Sequence, residues 1–154
     1  MHLKLIVYDF DGVMTDNKAY LTQSGEEMVR ISRADGLGVD KIKKLGIKQL
    51  ILSSEENSIV SVRASKLKIP CLQGIEDKKT ALMKYCRENN HALEFVGYVG
   101  NDINDIDVMG IVKITFCPAD SSGEIKQICD FILKTNGGDG VIREIFNLIN
   151  NKRK

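Results

Sequence analysis

Short apolar runs alternate along the chain with longer stretches whose apolar residues recur at helical spacing. Leu3 to Tyr8, Lys48 to Leu52, Phe95 to Val99 and Val112 to Phe116 read as buried strands, with weaker ones at Pro70 to Gln73 and Phe131 to Leu133. Between them Leu37, Ile42 and Leu45 suit one amphipathic helix and Ile59, Val60 and Leu67 a second. Leu82, Met83 and Cys86 suit a third, and Ile142, Ile145, Phe146 and Ile149 a last. Strand alternating with helix predicts an α/β fold, a doubly wound, Rossmann-like, mostly parallel sheet with helices on both faces. Ligands of such sheets bind beyond the carboxyl ends of the strands. Residues 18–32 break the rhythm: their apolar positions alternate around Gln23-Ser24-Gly25, the pattern of a projecting β-hairpin. Its apolar side chains need cover that a neighbouring subunit would supply, so an oligomer is expected.

With 154 residues the chain is expected to form one domain spanning 1–154, and chains of this length bury roughly 70% of their unfolded surface. The 22 Lys and Arg against 21 Asp and Glu argue against partners held by charge alone, such as nucleic acid or an anionic membrane. Small molecules and other proteins remain. Cys71, Cys86, Cys117 and Cys129 form no CxxC pair and are read as reduced thiols. The first apolar run ends at Asp9, too early for a signal peptide or a membrane span, so a cytoplasmic protein is expected. Asn150 to Lys154 reads as a solvated end.

Chemistry gathers at the strand ends. Asp9-Phe10-Asp11-Gly12-Val13-Met14-Thr15-Asp16 follows the first strand, and two carboxylates in one crevice would repel unless a proton or a hard cation such as Mg2+ neutralised them. A plain Asp-Gly turn is the alternative. Gly100-Asn101-Asp102-Ile103-Asn104-Asp105 follows a second strand, as a further source of oxygen ligands or as a helix cap. Ser53-Ser54 ends a third and offers hydroxyls to an anion, although Ser54 suits an N-cap equally well. Lys78 follows the fourth, as an anion-binding cation or a solvated side chain. Metal, hydroxyl and lysine around an acidic nucleophile make a phosphate-handling set. A P-loop is absent, because no GxxxxGK[ST] occurs.

Asp9-x-Asp11-Gly-Val-x-Thr-Asp16, Ser53, Lys78 and Gly100-Asn101-Asp102-x-x-Asp105, in that order, resemble the four motifs of the haloacid dehalogenase superfamily. Ala34-Asp35-Gly36-Leu37-Gly38, Leu72 to Lys78 and Thr135 to Glu144 are similar to its capless subfamily of 3-deoxy-manno-octulosonate 8-phosphate phosphatases. That subfamily also holds nonulosonate 9-phosphate phosphatases and the phosphatase-like domains of CMP-sialate synthetases. The resemblance implies a phosphatase that removes phosphate from a 3-deoxy-2-ulosonate sugar phosphate through an aspartyl-phosphate. Asp9 would be the nucleophile and Asp11 the general acid, then base. Ser53 and Lys78 would bind phosphoryl oxygens. Asp9, the Asp11 carbonyl and Asn101 would hold Mg2+, with Asp102 as an alternative to Asn101 and Asp105 orienting the shell. The family usually carries Asp where Asn101 stands, which implies weaker metal binding and keeps a non-catalytic oligomerisation module as a rival reading. Ser53-Ser54-Glu55-Glu56-Asn57 replaces the Ser-Gly-Arg usual for octulosonate phosphatases, which favours a nine-carbon acid's 9-phosphate. Arg63 and Lys66 would either reach its carboxylate or lie on a solvated helix face. No cap domain is expected, since the 41 residues between Asp11 and Ser53 hold only the hairpin and one helix. A homotetramer is implied, the pocket being completed by a neighbour's hairpin and by the carboxy-terminal segment. Gly137-Gly138-Asp139-Gly140 would be the flexible part of that segment, or a turn before a helix.

Overall fold

The computed structural model describes residues 2–151, so the basic end Lys152-Arg153-Lys154 lies outside the described residues. Six parallel strands form one sheet: β1 (Leu5–Tyr8), β4 (Lys48–Leu52), β5 (Cys71–Leu72), β6 (Val96–Val99), β7 (Ile114–Cys117) and β8 (Phe131–Ile132), in the order β5-β4-β1-β6-β7-β8. Among the described residues six α-helices complete it: α1 (Arg33–Lys44), α2 (Ile59–Leu67), α3 (Lys78–Glu88), α4 (Ile106–Met109), α5 (Gly123–Ile128) and α6 (Val141–Asn151). The chain leaves β1 toward β4 and β5, then returns to β6 on the other flank of β1 and runs outward to β8. The crevice at which strand order reverses therefore opens at the end of β1.

Alternation of side chains along each strand divides the core between the two faces. Ile6, Tyr8, Ile51, Val99 and Phe116 pack with α1, α2 and α6. Leu5, Val7, Leu50, Leu52, Tyr98 and Cys117 pack with α3, α4 and α5. β1 is buried along its whole length, as its unbroken apolar run requires. Two apolar residues placed on helix faces by spacing turn outward instead. Leu37 is 57% exposed, because α1 buries Asp35, Gly38, Val39 and Ile42, and Met83 is 49% exposed beside buried Leu82 and Cys86. The four cysteines are free thiols.

The hairpin pairs β2 (Thr15–Leu21) with β3 (Glu27–Ile31) antiparallel, outside the main sheet. Only this hairpin and α1 lie between β1 and β4, so the fold is capless.

Ala34-Asp35-Gly36-Leu37-Gly38 is the docking surface between α1 and α6. A Cβ on Gly38 would lie 2.8 Å from the main chain of Ile142, so only glycine permits this approach. Buried Asp35 Oδ1 accepts the Ile142 N–H at 2.8 Å, capping α6 from a neighbouring helix. Gly137 and Gly138 are equally constrained: a Cβ on either would meet the Gly12 carbonyl oxygen or the Asp16 nitrogen at 2.5 Å or less. The Gly138 N–H donates to the Val13 carbonyl at 3.0 Å. The segment expected to be a flexible pocket wall is thus the buried brace under the loop after β1, and it leads directly into α6.

Burial pushes the Asp35 carboxyl up to about 6, against the Ile142 and Arg143 N–H groups and the Arg63 charge. A pKa above the unfolded value means the folded state holds the proton more tightly, a stabilisation complete below about pH 4 and lost as pH rises through about 6. Relative to Asp35→Asn, the wild-type chain should lose up to about 3 kcal/mol between pH 4 and pH 7 in urea unfolding. A pH-independent difference would show that Asp35 does not titrate there.

Candidate active site

Four chain segments converge at the switch point. β1 leads into Asp9 and Asp11, β4 into Ser53, β6 into Gly100-Asn101, and the loop after β5 leads to Lys78 at the first turn of α3. Asp77 accepts the Thr80 N–H at 2.9 Å, which starts α3 and fixes where Lys78 projects. Lys78, Asp9, Asp105, Asn101 and Ser53 are all buried.

The Lys78 ammonium stands 2.9 Å from Asp9 Oδ1 and 2.8 Å from Asp105 Oδ1. Asp105 Oδ1 also accepts the Tyr98 hydroxyl at 2.8 Å, and Asp105 Oδ2 the Asn101 N–H at 2.9 Å. The lysine is therefore inside, behind Asp9, with its third N–H unused by either carboxylate. Burial lowers its pKa, yet the charges of Asp9 and Asp105 overcome this and raise it, keeping the ammonium charged. Asp9 is pushed up to about 7, first by burial and then by the Asp105 charge, with Lys78 opposing. Asp11 is also raised, by burial first; the Thr15 hydroxyl opposes, and the Glu55 and Glu27 charges add to the rise. A raised carboxyl pKa is the direction in which a general acid is tuned.

The Asn101 amide lies against the other side of Asp9. One of its two polar atoms stands 2.8 Å from the Asp11 carbonyl oxygen and 3.2 Å from Asp9 Oδ2. Turned one way, its nitrogen donates to both; turned the other way, three oxygens face each other with no proton between them. Mg2+ takes oxygen ligands at about 2.0–2.1 Å in an octahedron, whose neighbouring oxygens lie roughly 3 Å apart. These three donors match that spacing, so the residues present fit the ion. No group of three or more His, Cys, Asp or Glu side chains suited to a metal occurs among the described residues, because two of these three donors are a main-chain carbonyl and an amide. A Cβ on Gly12 would overlap the Asn101 amide, so its φ of +80° and missing side chain make room for this contact. Asp102 borders the cavity above these groups as well, its Oδ1 accepting the Ile103 N–H at 2.8 Å.

A cavity of about 540 Å3 opens above these groups, lined among others by Asp9, Asp11, Ser53, Glu55, Glu56 and Asn101. The Ser53 hydroxyl accepts the Glu55 N–H at 3.1 Å, which aims it at the cavity. Arg63 and Lys66 are elsewhere. They line a separate hollow with Ile31 and Asp40, and Arg63 Nη2 donates to the Ser32 carbonyl at 3.0 Å. Within one chain they do not reach the Asp9 cavity, since α2 turns that face toward α1. Sequence reasoning singled out Asp105 only as an orienting group and gave Tyr98 and Thr15 no role. Thr15 is visible in the sequence as a position of the first motif and by its i, i+4 spacing from Asp11.

Residues 37–145 match the family of haloacid dehalogenase-like hydrolases. The chain is 30% identical to the 3-deoxy-D-manno-octulosonate 8-phosphate phosphatase KdsC of Escherichia coli K12, covering 96% of this chain and 79% of that protein. Among solved structures, a haloacid dehalogenase family hydrolase from Streptomyces avermitilis is 40% identical, with a TM-score of 0.92 over 95% of this chain and 90% of that one. The octulosonate phosphatase of Moraxella catarrhalis, solved with magnesium, phosphate and KDO, is 28% identical, with a TM-score of 0.93 over 97% and 87%.

Removing Lys78 leaves two buried carboxylates facing each other. Lys78→Met should destabilise the fold by about 3–5 kcal/mol at pH 7 in urea unfolding. The loss should shrink at pH 5, where the Asp9 carboxyl, pushed up to about 7, is protonated.

Proposed function

The chain belongs to the haloacid dehalogenase-like hydrolases, in their capless octulosonate-phosphatase-like branch, and from that premise we propose how its site works and on what. It is a phosphoric monoester hydrolase acting on a sugar phosphate. Asp9 Oδ2, the Asp11 carbonyl and the Asn101 amide oxygen would hold Mg2+, which when bound neutralises charge on the phosphoryl oxygens and on Asp9. The observation that carries this reading is the convergence of Asp9 Oδ2, the Asp11 carbonyl and the Asn101 amide, whose oxygen a half-turn brings to the same place, beside a lysine-held aspartate.

In the first step an Asp9 carboxylate oxygen bonds to phosphorus, the bond from phosphorus to the sugar oxygen breaks, and Asp11 gives its proton to the departing oxygen. In the second, Asp11 as carboxylate takes a proton from water, whose oxygen bonds to phosphorus and releases Asp9. Lys78 offers its remaining N–H, and Ser53 its hydroxyl, to the phosphoryl oxygens.

Among ulosonates we favour a nine-carbon acid's 9-phosphate over the octulosonate 8-phosphate. Glu55 and Glu56, where octulosonate phosphatases usually carry Gly-Arg, line the cavity and suit hydroxyl groups rather than a carboxylate. Arg63 and Lys66 would then meet the sugar carboxylate only as donations from a neighbouring copy. The hairpin supports such an assembly: Tyr20 is 74%, Leu21 70% and Met28 58% exposed. No described helix is long and apolar enough to cross a membrane.

Phosphate release with Mg2+ from the two ulosonate phosphates, side by side, tests the reading. Faster hydrolysis of the 9-phosphate is expected, and none by folded Asp9→Asn; the reverse preference corrects the substrate, and turnover by Asp9→Asn removes the nucleophile. Sedimentation should find a tetramer that Leu21→Glu dissociates, whereas a fully active monomer would exclude the shared pocket.

A further inference from the structure

Thr15 opens β2 and is wholly buried beside the loop that carries Asp11. Its hydroxyl oxygen accepts two main-chain N–H groups, those of Gly12 and Asn17, each at 3.2 Å. The same hydroxyl donates to Asp11 Oδ1 at 3.1 Å. A hydroxyl has two lone pairs and one proton. Both lone pairs are taken by groups that can only donate, so the proton has one direction left, toward Asp11 Oδ1.

That oxygen is thereby held as an acceptor, the role the carbonyl oxygen of a neutral carboxyl fills best, so a proton on Asp11 is favoured on Oδ2, which has no partner among the described residues. We propose that Thr15 is a positioning residue for this reaction: it holds the Asp11 carboxyl in place and directs its transferable proton to the oxygen left free for the leaving group. The proposal rests on Asp11 being the general acid described above.

The backbone around the hydroxyl is closely constrained. Gly12 and Asn17, the two N–H donors, have φ of +80° and +62°, so each main chain is held in a left-handed conformation that points its N–H at the hydroxyl. Behind the loop, Gly137 and Gly138 leave no room for movement toward them. The β-branch of threonine restricts χ1 and so fixes the hydroxyl where serine leaves it freer to turn. The resulting proton path is short: the O–H bond at Asp11 Oδ2 breaks as the bond from phosphorus to the sugar oxygen opens, and the proton passes to that oxygen.

Dependence on the leaving group separates this role from a structural one. Octulosonate 8-phosphate releases a basic alkoxide that needs the proton, whereas p-nitrophenyl phosphate releases a stable phenolate that leaves without it. The comparison uses kcat/KM, which covers the steps up to departure of the leaving group and not the later hydrolysis of the aspartyl-phosphate. For Thr15→Val with Mg2+, kcat/KM on the sugar phosphate should fall by about tenfold or more, and on p-nitrophenyl phosphate by less than about threefold. Thr15→Ser should retain most activity on both. Should Thr15→Val not fold, Thr15→Cys carries the same comparison, its thiol filling the space while donating weakly. Equal loss on both esters by a folded variant, or loss on neither, overturns the proposal. Asp11→Asn is measured alongside. If it shows no selectivity between the esters, the acid role of Asp11 fails; if it is selective and Thr15→Val is not, the assignment of Thr15 alone fails.

Discussion

The Lys78 ammonium buried between Asp9 and Asp105 is the interaction on which the rest of the structure turns. It joins the ends of β1 and β6 to the start of α3, and so brings together the two flanks of the switch point. Burying charges is costly unless each is paired and its remaining donors and acceptors are satisfied. Asp105 meets that condition, with Lys78, Tyr98 and the Asn101 N–H around it. Asp9 meets it only in part: its Oδ1 faces Lys78 and its own neighbour's N–H, while Oδ2 faces oxygens or an amide that has turned to meet it. Two carboxylates and one ammonium leave a net negative charge at the bottom of the cavity. Burial first, and then the Asp105 charge, raise the Asp9 pKa there, and a divalent cation would offset both.

Around this charged centre the backbone, rather than the side chains, sets the clearances. Gly12 gives way to the Asn101 amide, and Gly137 and Gly138 lie against the loop from Gly12 to Asp16 with no space for a Cβ. The brace is in turn continuous with α6, whose first turn is capped by Asp35 from α1. The Ala34–Gly38 and Thr135–Glu144 motifs therefore press the loop after β1 into one shape. Exposed Arg30, paired with Asp16 at 3.0 Å and Asp139 at 2.8 Å, ties the hairpin base to the same brace, although surface pairs of this kind contribute little energy.

The hydrophobic pattern was legible because burial on two faces leaves an unmistakable mark: the run at β1, the strand Lys48–Leu52 and the interrupting hairpin lie where the pattern puts them. Its failures have a common cause. Leu37 and Met83 obey helical spacing but turn outward, since the neighbouring helix or sheet decides which stripe is covered. Arg63 and Lys66 follow the second motif closely in sequence, yet α2 carries them around to another hollow. Short α4 and α5, each of six residues or fewer, leave too little periodicity to detect.

The sequence by itself determined the strand-helix alternation and the order of acidic, hydroxyl and basic residues on the strand ends, because local patterning and the topology of a doubly wound sheet constrain both. Only tertiary structure decided which of those residues touch. That Asn101 rather than Asp102 meets Asp9, that Lys78 is buried between two carboxylates, and that the Thr15 hydroxyl has a single direction for its proton all depend on contacts of a few ångströms. Such contacts join segments that packing brings together, and no linear spacing encodes the distance between them.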